Sequence, residues 1–132
     1  MKKVVIAALV GAIALAGCSK KAEEAVDDVT LTCEPGEGPL TVSAKDSEFD
    51  TKCLAVAADG AFTVDFTNND SFPHNFSIYK ESGGEDLFKG KNQDKSGTVT
   101  YNVDALPAGD YYFQCDIHDD MNGKFRSVAA TP

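Results

Sequence analysis

From Pro39 onward, apolar and polar side chains alternate with a period of two over short runs, the spacing that puts every second residue on one face of a β-strand. In Ala61 to Thr67 the apolar set is Phe62, Val64 and Phe66; a weaker set is Leu40, Val42 and Ala44. Phe76 and Ile78 alternate with Ser77 and Tyr79, and Val99, Tyr101 and Val103 repeat the pattern. Tyr111, Phe113 and Cys115 share a face opposed by Tyr112 and Gln114, and Phe125 stands between Lys124 and Arg126 with Val128 expected on its side. Asp59-Gly60, Asn68-Asn69-Asp70, Ser82-Gly83-Gly84, Pro107-Ala108-Gly109 and Asn122-Gly123 separate the runs as turns. No long run of helical period appears in this region. Glu81 to Lys95 breaks the pattern: it is polar and Gly-rich, with Leu87 and Phe88 as its large apolar pair, and reads as an irregular excursion with one helical turn. The prediction is an all-β domain, a Greek-key sandwich or barrel of about seven to eight strands.

The chain before Pro39 follows other rules. Lys2 and Lys3 precede an apolar run from Val4 to Gly17, the layout of a secretory signal and too short for a membrane span of ~20 residues. The run closes on Leu15-Ala16-Gly17-Cys18, which resembles the lipobox of bacterial lipoproteins. That resemblance implies cleavage before Cys18, lipid on Cys18, and a location outside the cytoplasm on the periplasmic or cell-surface side. The alternative is an ordinary signal cut elsewhere. Residues 1–17 are thus expected to be a signal peptide, 18–33 a lipid-anchored linker and 34–132 the folded domain. The linker carries Glu23, Glu24, Asp27 and Asp28 and few large apolar groups, so it buries little; a dozen such residues stretch to ~40 Å.

Composition sharpens the picture in one respect. Asp and Glu number 21 against 12 Lys and Arg, a formal charge of −9. A nucleic-acid partner, which needs a basic face, is not expected. The surface suits solubility or a partner with a basic patch.

Four Cys and only two His are present, so each has to be placed. Cys18 belongs to the lipid site. Cys33 and Cys53 can pair in an oxidising compartment; the alternative, that one of them ligates a metal, lacks a nearby His. Cys115 opens the spacing Cys115-x-x-His118-x-x-Met121 between two predicted strands, and Phe72-Pro73-His74-Asn75 holds the other His. Two imidazoles, a thiolate and a weak thioether are the donors of a type 1 copper site. His74, Cys115, His118 and Met121 form one such set, with no His to spare. Three donors on one tight loop supply rigidity; the fourth arrives from a distant segment, so the site requires the folded chain.

The stretch from about Thr41 to Ala129 resembles the plastocyanin and amicyanin group of cupredoxins, through Phe49-Asp50, Pro73-His74-Asn75 and Gly109-Asp110-Tyr111-Tyr112-Phe113-Gln114-Cys115. The resemblance implies one copper bound by His74, Cys115, His118 and Met121, electron entry or exit near His118, and an Asn75 that ties the two ligand segments together. The short loop is similar to amicyanin's. Asp119 and Asp120 depart from relatives that present an apolar patch there, and this acidic rim is the expected docking face for redox partners of unknown identity. No Ser/His/Asp set or phosphate loop offers catalysis, so no enzyme activity is expected. The expected function is a monomeric, membrane-tethered electron carrier; the alternative is a copper storage or delivery protein that does not cycle electrons.

Overall fold

A computed structural model describes residues 33–132. The signal peptide, Cys18 and the linker up to residue 32 lie outside the described residues. The β-branched and aromatic side chains of the alternating runs, which favour a pleated, half-buried surface, form nine strands. These are β1 Leu40–Lys45, β2 Glu48–Phe49, β3 Cys53–Ala57, β4 Phe62–Asn68, β5 Ser77–Tyr79, β6 Asp86–Lys89, β7 Gly97–Val103, β8 Gly109–Gln114 and β9 Asn122–Val128. The described residues contain no helix.

Two mixed sheets pack face to face, one in the order β2-β1-β4-β7 and the other β3-β9-β8-β5-β6. β1 runs parallel to β4, with Ala44 opposite Asn68, and β3 runs parallel to β9, with Cys53 opposite Lys124. The remaining pairs are antiparallel. The inward faces supply one core in which Phe66, Phe76, Phe113 and Phe125 are fully buried. Phe49, on the two-residue strand β2, packs tilted on Phe113 at 5.3 Å between ring centroids and edge-on to Phe66 and Phe76. The fold is the all-β sandwich that period-two alternation predicts.

Three details differ from the sequence reading. First, the excursion from Glu81 to Lys95 holds a tight turn, closed by Gly84 N donating to the Glu81 carbonyl, and then β6. Pairing with β5 across a register shift at Ile78/Tyr79 recruits this polar run into the sheet. With β2 and β3, which the alternating runs do not include, it brings the count to nine. Second, Ser127, not Val128, shares the buried face with Phe125; its hydroxyl donates to the Leu106 carbonyl at 2.9 Å, which makes a small polar group tolerable inside. Third, Ser77 and Tyr79 are buried along with Phe76 and Ile78; their hydroxyls are tolerable there because Asp116 accepts from both.

Cys33 and Cys53 form a disulfide, with Cα atoms 5.7 Å apart, that joins the start of the described chain to β3. The loop it closes spans 20 residues. Replacing both with Ser should cost about 3 kcal/mol in the chain-entropy account. A fall in the urea midpoint would register the loss, with a slope that rises as the uncrosslinked chain expands; an unmoved midpoint would contradict it.

Candidate metal centre

Strand ends bring the site together. β4 ends at Asn68 and leads through Asp70 and Phe72 to His74; β8 ends at Gln114 and opens the loop Cys115 to Met121, after which β9 begins. The loop is short and internally braced. Cys115 N donates to the Met121 carbonyl at 2.9 Å, and Met121 N donates to the His118 carbonyl at 2.9 Å. Such a loop has few alternative conformations, because its backbone hydrogen bonds hold it and so aim its side chains.

Donor atoms of His74, Cys115 and His118 lie within 4.8 Å of one another. Both histidines face the thiol through Nδ1, His118 at 3.6 Å and His74 at 3.9 Å from Cys115 Sγ. Cys115, His74 and Met121 are fully buried, and His118 is half-buried. Cys115 is the free cysteine among the described residues. The fourth predicted donor, Met121, lies on the same loop. Two imidazoles converging on a buried thiol, with a buried thioether on the same loop, are a soft, mixed donor set that suits copper better than the hard, oxygen-seeking cations.

The histidine from the distant segment is held by a carboxylate that sequence reading placed only in a turn. His74 Nε2 donates to Asp70 Oδ2 at 2.8 Å. An ionised carboxylate can only accept, so the proton sits on Nε2 and the lone pair of Nδ1 faces Cys115. Asp70 also accepts from the amides of Asp46 (3.0 Å) and Ser47 (3.4 Å) in the β1–β2 turn, where both residues have positive φ. The Asp46 amide above all holds the Asp70 carboxyl below its ordinary range; burial opposes this, and His74 and the Ser47 amide add to it. Asn68, buried, closes the arrangement by donating to the Phe72 and Gln93 carbonyls and accepting from Asp70 N, each at 2.8 Å. Gln93, from the supposed excursion, exchanges two backbone hydrogen bonds with His74.

Asp70→Asn should therefore weaken metal affinity by about tenfold or more, read by competition with a chelator of known affinity. Because the folded carboxyl titrates below its ordinary 3.8, its stabilisation is complete above that value and disappears as pH falls through the lower folded pKa. The stability gap between wild type and Asp70→Asn should accordingly close in acid. A gap that does not narrow as the pH is lowered below 3.8 would contradict the assignment.

Asn75 joins the two ligand segments. Its Oδ1 accepts from Asp116 N at 2.7 Å, and its Nδ2 donates to the Gly90 carbonyl at 3.0 Å and to Asp116 Oδ2 at 2.8 Å. Asp116, which carried no role in the sequence reading, also accepts from Tyr79, Ser77 and Gln114. Burial pushes its carboxyl up, but the bonds from Tyr79, Asn75, Ser77 and Gln114 outweigh it and leave it below the ordinary range. Burial likewise pushes Tyr79 up, and Asp116 adds to the shift, so the phenol stays a proton donor.

The outer rim of the site is mixed. Asp119 and Asp120 are exposed in a turn, as an acidic rim requires. Phe72 and Ile117, however, are also exposed, and the Phe72 ring lies 5.9 Å from that of His118 and 5.0 Å from that of His74. Acid and apolar groups thus border the same half-buried imidazole.

A two-sheet sandwich with a thiol, two imidazoles and a thioether gathered at the mouth of one strand–loop–strand unit defines the class of small β-proteins built around one soft-metal centre. The chain belongs to the cupredoxin-like family: the model of the cupredoxin-like domain matches residues 5–125. Among solved structures it is similar to reduced auracyanin from Roseiflexus castenholzii, at 19% identity and a TM-score of 0.59 over 74% of this chain and 100% of that one. It is similar to auracyanin A, a "blue" copper protein from Chloroflexus aurantiacus, at 23% identity and 0.58 over 70% of this chain and 100% of that one. Amicyanin from Paracoccus versutus matches at 26% identity and 0.51 over 74% of this chain and 85% of that one. No curated protein matches the chain in sequence. No helix among the described residues is long and apolar enough to cross a membrane.

Proposed function

We propose that the protein carries single electrons outside the cytoplasm through one type 1 copper held by His74, Cys115, His118 and Met121. The observation that carries this reading is the closed, buried cluster in which both imidazoles present Nδ1 to the Cys115 sulfur. Copper in such a site supplies a one-electron Cu(II)/Cu(I) couple without a change of bound atoms.

The chain's own residues do the rest. Asp70 fixes the tautomer of His74, and the hydrogen bonds between Cys115, His118 and Met121 keep the loop from relaxing. Burial of Cys115, His74 and Met121 excludes water. His118 is the ligand nearest solvent, so electrons enter and leave through its ring edge, bordered by Phe72, Ile117, Asp119 and Asp120. A redox protein presenting a basic, partly apolar face fits that border. A lipid on Cys18 would tether the domain to a bacterial membrane, on the periplasmic or cell-surface side. Transfer of an electron needs no catalytic group, and the protein acts as a carrier rather than an enzyme. Storage or delivery calls for an open donor set that an ion can leave; three buried donors argue against it.

Titration of the protein with Cu(II) should give an intense blue band saturating at one equivalent, and voltammetry should be rapid and reversible. A colourless protein that holds Cu(I) against oxidants would overturn the carrier in favour of storage.

A further inference from the structure

The carboxylate next to Cys115 is more elaborately held than a turn residue requires. Asp116 follows Cys115 directly. Its Oδ1 accepts from the Tyr79 hydroxyl at 2.6 Å and from Gln114 Nε2 at 3.4 Å; its Oδ2 accepts from the Ser77 hydroxyl at 2.7 Å and from Asn75 Nδ2 at 2.8 Å. Its own amide donates to Asn75 Oδ1 at 2.7 Å. Asn75, Ser77 and Tyr79 are all buried, on or next to β5.

Two features of this arrangement matter. All four groups are donors toward the carboxylate, so a proton placed on it would have no acceptor to meet and would displace one of them; the geometry selects the ionised form. None of the four carries a charge, so the negative charge is held by dipoles and is not cancelled by a cation. Lys89 lies over the Tyr79 ring at 5.8 Å from its centroid and acts on Asp116 through space as well as through the phenol.

We infer that Asp116 is a positioning residue with a second role: a permanent negative charge next to Cys115 that favours Cu(II) over Cu(I), and a clamp that fastens the ligand loop to β5. This rests on the copper reading above. An anion close to the metal in a partly desolvated site stabilises the more positive oxidation state. The clamp works in the apo protein as well, because its bonds involve no metal. Tyr79, Ser77 and Gln114 become tuning residues by the same argument, since each donor they supply holds the charge in place.

The test compares midpoint potentials of wild type, Asp116→Asn, Gln114→Lys and Tyr79→Phe. Asp116→Asn removes the charge and should shift the Cu(I)/Cu(II) equilibrium toward Cu(I) by about tenfold or more, ~59 mV upward for one electron. Gln114→Lys leaves the clamp's other bonds intact and sets a cation against the carboxylate, so it should shift the potential in the same direction; it also serves if Asp116→Asn does not fold. Tyr79→Phe keeps the charge and removes one bond, and should not raise the potential. In the copper-free protein, amide exchange at Asp116 and Ile117 should quicken in both Asp116→Asn and Tyr79→Phe.

Equal upward shifts in Asp116→Asn and Tyr79→Phe would mean simple loosening and would overturn the charge role. No shift in a blue Asp116→Asn or Gln114→Lys would overturn it too, while leaving the carrier reading intact. Unchanged exchange in both copper-free variants would overturn the clamp. A wild type without the blue band would overturn the carrier reading itself.

Discussion

Cys115→Ser should abolish the blue band altogether and cut copper retention by orders of magnitude. The substitution is close to isosteric at a fully buried position, so the sandwich should remain folded. The chemistry changes more than the shape. A serine hydroxyl keeps its proton at neutral pH and offers a hard oxygen, whereas Cu(I) prefers thiolate and thioether. His74 and His118 would still face each other, with ring centroids 4.7 Å apart, and could hold Cu(II) weakly. The expected product is a folded, pale protein without reversible voltammetry. Circular dichroism distinguishes this from unfolding; an intense blue Cys115→Ser protein would remove Cys115 from the site.

The second large effect concerns a residue with no donor atom. A Cβ on Gly123 would lie 2.5 Å from Phe113 Cζ and 2.6 Å from the Lys52 carbonyl oxygen. The ring is part of a close-packed aromatic core, and the oxygen belongs to the backbone and accepts a hydrogen bond from Lys124 N at 2.9 Å. Neither can move cheaply. Gly123→Ala should destabilise the fold by about 3 kcal/mol, at the upper end of ordinary overpacking costs. Denaturant unfolding of the copper-free protein measures it directly. Pairing the change with Phe113→Leu should recover part of the loss if the clash is with the ring. A loss below about 1 kcal/mol would show that β8 and β9 can spread at this point.

Much of this was legible in the chain because it is carried by period and scarcity. Alternation marked β1, β4, β7 and β8, since each has one face toward the core and one toward water. With two His in the chain, a Cys-x-x-His-x-x-Met loop left little choice about the donors. The residues that hold the donors in place were not legible. Asp70 and Asp116 look like ordinary surface carboxylates, and Asn68 like a turn former. Their roles come from contacts across long stretches of chain: Asp116 meets Asn75, 41 residues away, and Asp70 meets Asp46, 24 residues away. Local pattern contains no record of such meetings. An acid four residues before a His was the one available hint for Asp70, and a turn explained it equally well. Ser77, Tyr79 and Ser127 were misjudged for a related reason. Polar side chains are tolerated inside once a partner is present, and partners are supplied by tertiary structure.

The parallel pairing of β3 with β9 has a consequence for the order of events in the chain's life. Among the described residues, β3 has one neighbour in its sheet, β9, the last of the nine strands in chain order. The Cys115 loop ends where that strand begins, so the donors cannot gather until β9 has docked. Sandwiches rich in such distant pairings fold slowly, because loop closure precedes any reward. A chain whose β9 has not yet paired therefore has its thiol and imidazoles apart. On the copper reading, a chain in which β9 has not paired offers no complete donor set, so loading should follow that pairing.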